Sequence, residues 1–181
     1  PVVFRDNEFY LDHDFRGEYS GIGTVFADEK NTDWVDAPYL ILYGHNIDGG
    51  IKFGKLSQYR NLEQLKENAV IEWDTVRFEE AKEYAVFAVF DASDDEDSFY
   101  LRRFDELKSS GDMGMQALID EAKTRSIFSI PLTVDAQDQI LVLVTCSRAG
   151  LDGRLLIFAR GLREGETAEG IHAVIEQSRS R

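Results

Sequence analysis

Short apolar runs broken by clusters of Gly, Asn and Asp dominate this chain, a pattern that predicts strands joined by turns. Residues 1–5, 8–11 and 23–26 read as short strands around turns at Asp6-Asn7 and Arg16-Gly17. Residues 38–44 (PYLILYG) form an almost unbroken apolar run, which predicts a strand buried on both faces. Residues 70–78 and 82–90 read as strands rich in aromatic and β-branched side chains, and 139–146 (QILVLVTC) and 154–160 (RLLIFAR) as two strongly hydrophobic ones. Helical spacing is rarer. Leu56, Tyr59, Leu62 and Leu65 recur every three residues, predicting one or two short helices within 53–65. Met115, Leu118, Ile119 and Ala122 recur at three and four behind Asp112 as an N-cap, predicting a helix over 112–125. Residues 168–177 read as a terminal helix.

Seven or eight strands with a few helical insertions, no repeat and no regular βαβ alternation, predict a mostly β fold with helical insertions. A closed or nearly closed β-barrel with helices on its rim fits that order best. No linker or shift in composition divides the chain, and 181 residues suit one domain with a real core.

Charge narrows the partners. The formal net charge is −14, and such a surface repels nucleic acid and anionic lipid, both of which need cationic contacts. No apolar run reaches the roughly 18 residues of a membrane span. The chain begins at Pro1 without an initiating methionine and runs straight into a strand, which reads as an excised or processed piece. Five carboxylates crowd residues 91–97, but without the glycine and closing Glu of a calcium loop they read as a solvated acidic loop. No metal or cofactor is expected.

Cys146 is the single cysteine, so no internal disulfide forms, and it stands where a buried strand meets the polar loop 147–153. That is how a nucleophilic thiol is held rigidly yet left reachable, although a cysteine taken alone is more often a buried structural residue. His45 ends the PYLILYGHN run in the same way, and histidine is the usual acid/base partner of a thiol. Its competitors are His13, between two aspartates, and His172, near the C-terminus. Arg154 opens the strand after the cysteine loop, where a guanidinium can stabilise an oxyanion. Each residue alone has an ordinary reading. Three of them at predicted strand ends raise the joint one.

Thr145-Cys146, closing an apolar strand and followed after a short loop by Arg154-Leu155-Leu156-Ile157, resembles the active-site signature of sortases. Tyr43-Gly44-His45-Asn46 resembles their histidine motif, and the order His, Cys, Arg agrees, here separated by 101 and 8 residues. Within the family, Pro1-Val2-Val3, Asp6-Asn7, Tyr10-Leu11-Asp12-His13-Asp14-Phe15, Gly17, Ser20 and Gly23-Thr24-Val25-Phe26-Ala27-Asp28 look most like class B, as does the inserted helix at 112–125. The similarity covers residues 1–160 as a catalytic domain and leaves 161–181 as a C-terminal extension with a helical pattern.

The resemblance implies a closed eight-stranded sortase-like β-barrel and a cysteine transpeptidase. Cys146 would cleave a C-terminal sorting signal after Thr through a thioacyl-enzyme, with His45 as acid/base and Arg154 as the cationic stabiliser. Thr145 and Ser147 would meet the substrate, the latter through its N–H at the oxyanion, and Ser126, Ile127 and Phe128 would line the groove. The partners implied are a sorting-signal-bearing surface protein or pilin and an amine acceptor, a peptidoglycan cross-bridge or pilin lysine. The location implied is the outer face of the cytoplasmic membrane at a Gram-positive cell surface, with a membrane anchor expected upstream of this chain. Two alternatives remain at this stage: a cysteine endopeptidase releasing its product to water, and a non-catalytic β-barrel surface or pilus module.

Overall fold

Along the chain run β1 (Val2–Phe4), β2 (Val25–Ala27), β3 (Tyr39–Gly44), β4 (Asn46–Ile47), β5 (Ile51–Lys52), α1 (Leu62–Glu67), β6 (Val70–Trp73) and β7 (Lys82–Ser93). After them come α2 (Ser98–Arg125), β8 (Phe128–Ser129), β9 (Ile140–Cys146), β10 (Gly153–Gly161), α3 (Ala168–Ile175) and β11 (Arg179–Ser180). The computed structural model describes residues 1–31, 37–74, 80–93, 98–146 and 153–181, the side chains of 48, 93, 98–109 and 146 excepted.

Seven strands form one sheet in the order β1-β2-β3-β9-β10-β7-β6, with β11-β8 and β4-β5 as two-stranded companions. The β1–β2 and β3–β9 pairs are parallel and the other pairs of the main sheet antiparallel. The expected architecture, mostly β with helical insertions, is what forms. Seven of its strands share the main sheet, and among the described residues no ladder joins the edge strands β1 and β6.

Both faces of that sheet are covered, which is why its central strands read as unbroken apolar runs. All six residues of β3 are buried. Tyr39, Ile41, Tyr43, Ile140, Val142, Val144, Leu156 and Phe158 pack on one face with Leu118, Ile119 and Ala122 of α2. Leu40, Leu42, Leu141, Leu143, Leu155 and Ile157 pack on the other with Tyr59, Leu65 and Trp73. The period-two alternation of each strand thus sorts its side chains between two cores.

Several elements differ from the sequence expectation for local reasons. Residues 8–11 were expected in a strand, but Phe9–Leu11 is a 3-10 turn. The Asp6 carboxylate accepts the Glu8 and Phe9 N–H groups at 3.0 and 2.7 Å, which curls the chain. Helix α2 starts at Ser98, well before Asp112, and breaks at Gly111, whose φ of +54° lies outside the helical region. The expected helix over 112–125 is its second half. Strand β7 runs on to Ser93, so Asp91 lies in the sheet, where Arg60 donates Nε–H to it at 3.0 Å. The rest of the acidic run, 94–97, and the second half of the expected 70–78 strand lie outside the described residues.

Residues 161–181 are knit into the domain. Thr167 caps α3 by accepting the Gly170 N–H, Ile171 and Ile175 are buried in the first core, and β11 pairs with β8. A buried Arg160, 1% exposed, donates to the Thr133 and Gly161 carbonyls and pairs with Glu166 through both guanidinium nitrogens. Arg163 binds Asp138 and Asp135 beside it.

Candidate active site

Strand register assembles the site. Strand β9 runs between β3 and β10, with Thr145 level with Gly44 on one side and Cys146 opposite Arg154 on the other. His45 follows Gly44 directly, so the backbones of His45, Cys146 and Arg154 reach the same end of three adjacent strands. Adjacent strands lie about 4.8 Å apart, and directly opposed residues of an antiparallel ladder about 5 Å apart at Cα. The guanidinium-bearing Arg154 is half-buried at this edge.

His45 is seated from two sides. Its Nε2 lies 2.8 Å from the Leu11 carbonyl oxygen. A carbonyl only accepts, so Nε2 carries the hydrogen and, in the neutral ring, Nδ1 is the basic nitrogen. On the other side the Phe53 N–H donates to the His45 carbonyl at 3.0 Å. The Phe53 ring also packs where a side chain on Gly44 would be, since a Cβ there would lie 2.8 Å from it. Gly44 is therefore required for packing, a different reason from the turn-forming use of glycine.

The opening segment is fastened to β3 near this seat. Asp28, 0% exposed, accepts hydrogen bonds from Tyr43 Oη at 2.8 Å and Asn7 Nδ2 at 3.0 Å. Next to His45, both amide atoms of Asn46 are buried without a hydrogen-bond partner.

The other histidines have different attachments. His13 stacks on Phe9 with ring centroids 4.0 Å apart, and its Nδ1 faces Asp12 Oδ1 at 2.7 Å and the Phe9 carbonyl at 2.9 Å. His172 Nδ1 lies 3.0 Å from the Lys66 carbonyl.

The residues expected to meet substrate are placed differently from the three above. Thr145 is 1% exposed and pairs with Leu155, a residue of the second core, so strand alternation turns it away from the face of Val144 and Leu156. Its hydroxyl has no hydrogen-bond partner. Ser126 is 3% exposed, and its Oγ accepts the Val89 and Phe128 N–H groups at 3.2 and 3.3 Å. Phe128 is 4% exposed in the second core, and only Ile127 is half-buried. Ser126 and Phe128 thus brace β7 and the core. Ser147 lies outside the described residues. Among the described residues no group of three or more His, Cys, Asp or Glu is placed to hold a metal ion.

A cysteine, a histidine and an arginine at one sheet end are residue types that can carry out acyl transfer. No protein-family model matches the chain. The sortase B of Listeria monocytogenes is 27% identical over 145 residues, 78% of this chain and 54% of that protein. A Bacillus anthracis crystal structure described as similar to sortase B is 30% identical over 90% of this chain and 71% of its own, with a TM-score of 0.76. The chain belongs to the sortase family. It is most like class B, since a Staphylococcus aureus sortase B–substrate complex also superposes with a TM-score of 0.77 and 25% identity, over 91% of this chain and 74% of that one.

Sortases are cysteine transpeptidases of the Gram-positive cell surface, and the order of His45, Cys146 and Arg154 along this sortase chain suits that chemistry. The chain spans about half the length of the curated relatives it matches. The sortase motifs marked side chains, whereas the Leu11 carbonyl that holds His45 carried no sequence signal, because every residue has a carbonyl.

Proposed function

We propose that this domain is a class B-like sortase acting as a cysteine transpeptidase. The Cys146 thiolate attacks the carbonyl after the Thr of a C-terminal sorting signal. Arg154 and the Ser147 N–H hold the resulting oxyanion, and His45, as imidazolium, protonates the amine that leaves. A thioacyl-enzyme remains. An amine, from a peptidoglycan cross-bridge or a pilin lysine, then attacks it, gives up a proton to His45 and releases Cys146 as the thiolate, which restores the starting thiolate–imidazolium pair. The protein substrate is a surface protein or pilin, and the place of action is the outer face of the membrane at a Gram-positive cell surface.

The observation that carries this proposal is the register that aligns Gly44 with Thr145 and Arg154 with Cys146. It brings three reactive residue types to one edge independently of loop conformation. The test is a set of fluorogenic peptides of NPxTx and xPxTG type, each incubated with and without an amine. Peptide–amine product formed by the wild type and absent with Cys146→Ala supports transpeptidation. Product released only to water supports an endopeptidase, and no cleavage of any peptide contradicts both.

A further inference from the structure

His45, Leu11 and Gly23 come from three separate stretches of chain and meet at one carbonyl group. Gly23 has φ +52°, and a Cβ on it would lie 2.4 Å from the Tyr10 oxygen and 2.5 Å from the Leu11 oxygen. Real Cβ atoms do not approach backbone that closely, so any side chain at 23 pushes the Leu11 carbonyl off its place. That is the carbonyl lying 2.8 Å from His45 Nε2. The loop is otherwise tied down: the Thr24 N–H donates to the Tyr10 carbonyl at 2.9 Å and the Gly23 N–H to the Ser20 carbonyl at 2.8 Å. It has little freedom to give way.

We infer that Gly23 is a positioning residue for His45: its missing side chain seats the Leu11 carbonyl, which fixes the imidazole as the Nε2–H tautomer with Nδ1 as proton acceptor. The catalytic meaning of this inference depends on the proposed role of His45, but the tautomer itself does not. When the Cys146 thiol gives its proton to Nδ1, the ring becomes a cation that keeps its Nε2–H on Leu11. A hydrogen bond from a charged donor is about twice as strong as a neutral one, so the carbonyl favours the imidazolium. The same Nδ1 proton is then passed to the leaving amine, and the neutral ring returns.

Backbone and ring are held by different partners. Phe53 N–H holds the His45 carbonyl, whereas Leu11 holds the ring. Displacing Leu11 therefore removes the Nε2 hold on the imidazole while the Phe53 bond to the His45 backbone stays. Gly21 supplies a control in the same loop, because a Cβ there meets nothing within 4 Å.

The three histidines also make the tautomer readable. His13 and His172 each present Nδ1 to an oxygen acceptor, whereas His45 presents Nε2 to one. Imidazole 15N spectra of the labelled domain, with the His45 signals assigned by their loss in His45→Gln, should show His45 as Nε2–H and the other two rings as Nδ1–H. In Gly23→Ala the His45 signals should move toward a tautomer mixture, and kcat for peptide cleavage should fall about 100-fold with KM little changed. Gly21→Ala should match the wild type in both. Wild-type His45 found as Nδ1–H overturns the inference even if Gly23→Ala does not fold. So does a folded Gly23→Ala with wild-type spectrum. A wild type that cleaves no peptide sinks the proposed function, while the spectra still decide the positioning.

Discussion

Arg154 stands opposite Cys146 on the antiparallel ladder between β9 and β10, and the next residues inward, Leu155 and Leu156, are fully buried. The backbone that carries the guanidinium is thus anchored in buried sheet. In the proposed role of Arg154, a donor carried on such a strand would need less reorganisation than one on a loop as charge develops on the oxyanion.

Removing it should slow chemistry more than binding. Arg154→Ala is expected to lower the rate of thioacyl formation by about 10²- to 10³-fold. Arg154→Lys should recover only part of the loss, since an ammonium lacks the planar fork of a guanidinium. Rapid-quench acylation kinetics on both variants check this, and a Lys variant as fast as wild type would contradict it.

Thr145 gives a prediction of opposite sign. Its hydroxyl is buried without a partner, and an unsatisfied polar group of that kind is a liability the unfolded chain does not share. Thr145→Val keeps the shape and removes the hydroxyl. Stability in urea denaturation should rise by about 1 kcal/mol, with peptide cleavage retained. Lost cleavage would mean that this hydroxyl meets substrate after all.

Ser126 behaves in the reverse way. Its Oγ satisfies the Val89 and Phe128 N–H groups, so Ser126→Ala leaves two buried donors with poorer partners. A loss of about 1–2 kcal/mol in stability is expected with KM for peptide unchanged. A raised KM in a fully stable variant would assign Ser126 to the groove instead.

The Glu166 carboxyl is held below its ordinary value of 4.5, first by the hydrogen bonds from Arg160 and then by the Arg163 N–H, against the opposing effect of burial. A carboxylate with a lowered folded pKa stabilises the protein fully above its unfolded value and loses that stabilisation as pH falls through the folded one. Glu166→Ala also leaves Arg160 buried and unpaired. It should cost about 3 kcal/mol at neutral pH. The gap between wild type and variant should narrow as pH drops below 4.5. Urea unfolding across that range measures it, and a gap independent of pH would contradict it.

The central sheet was legible because strands covered on both faces leave long apolar runs, as in Tyr39–Gly44 and Ile140–Cys146. His45, Cys146 and Arg154 were singled out because each stands at one end of such a run, and register brings the backbones of the three ends to the same edge of the sheet. The 3-10 turn at Phe9–Leu11 was hidden by its apolar sequence, since the Asp6 side chain that curls it lies outside the run. The first half of α2 carries Tyr100, Phe104 and Leu107 at helical spacing directly after the acidic run, a signal the reading of that run as a loop passed over. Gly111 interrupts the helix before the part that was read as one. Thr145 and Ser126 show a different limit. Motif position brought them near the reactive end of the chain, but which face a side chain takes depends on strand parity and on the partners it meets.

The most direct test of the proposed chemistry is intact-protein mass spectrometry of the domain mixed with a sorting-signal peptide and no amine. Cys146 is the single thiol of the chain, so any thioester has one address. A mass increase equal to the peptide's acyl part is expected on the wild type. It should be absent from Cys146→Ala and discharged when an amine is added. An adduct that survives in Cys146→Ala, or a wild type that stays unmodified while cleaving peptide, would contradict the thioacyl mechanism.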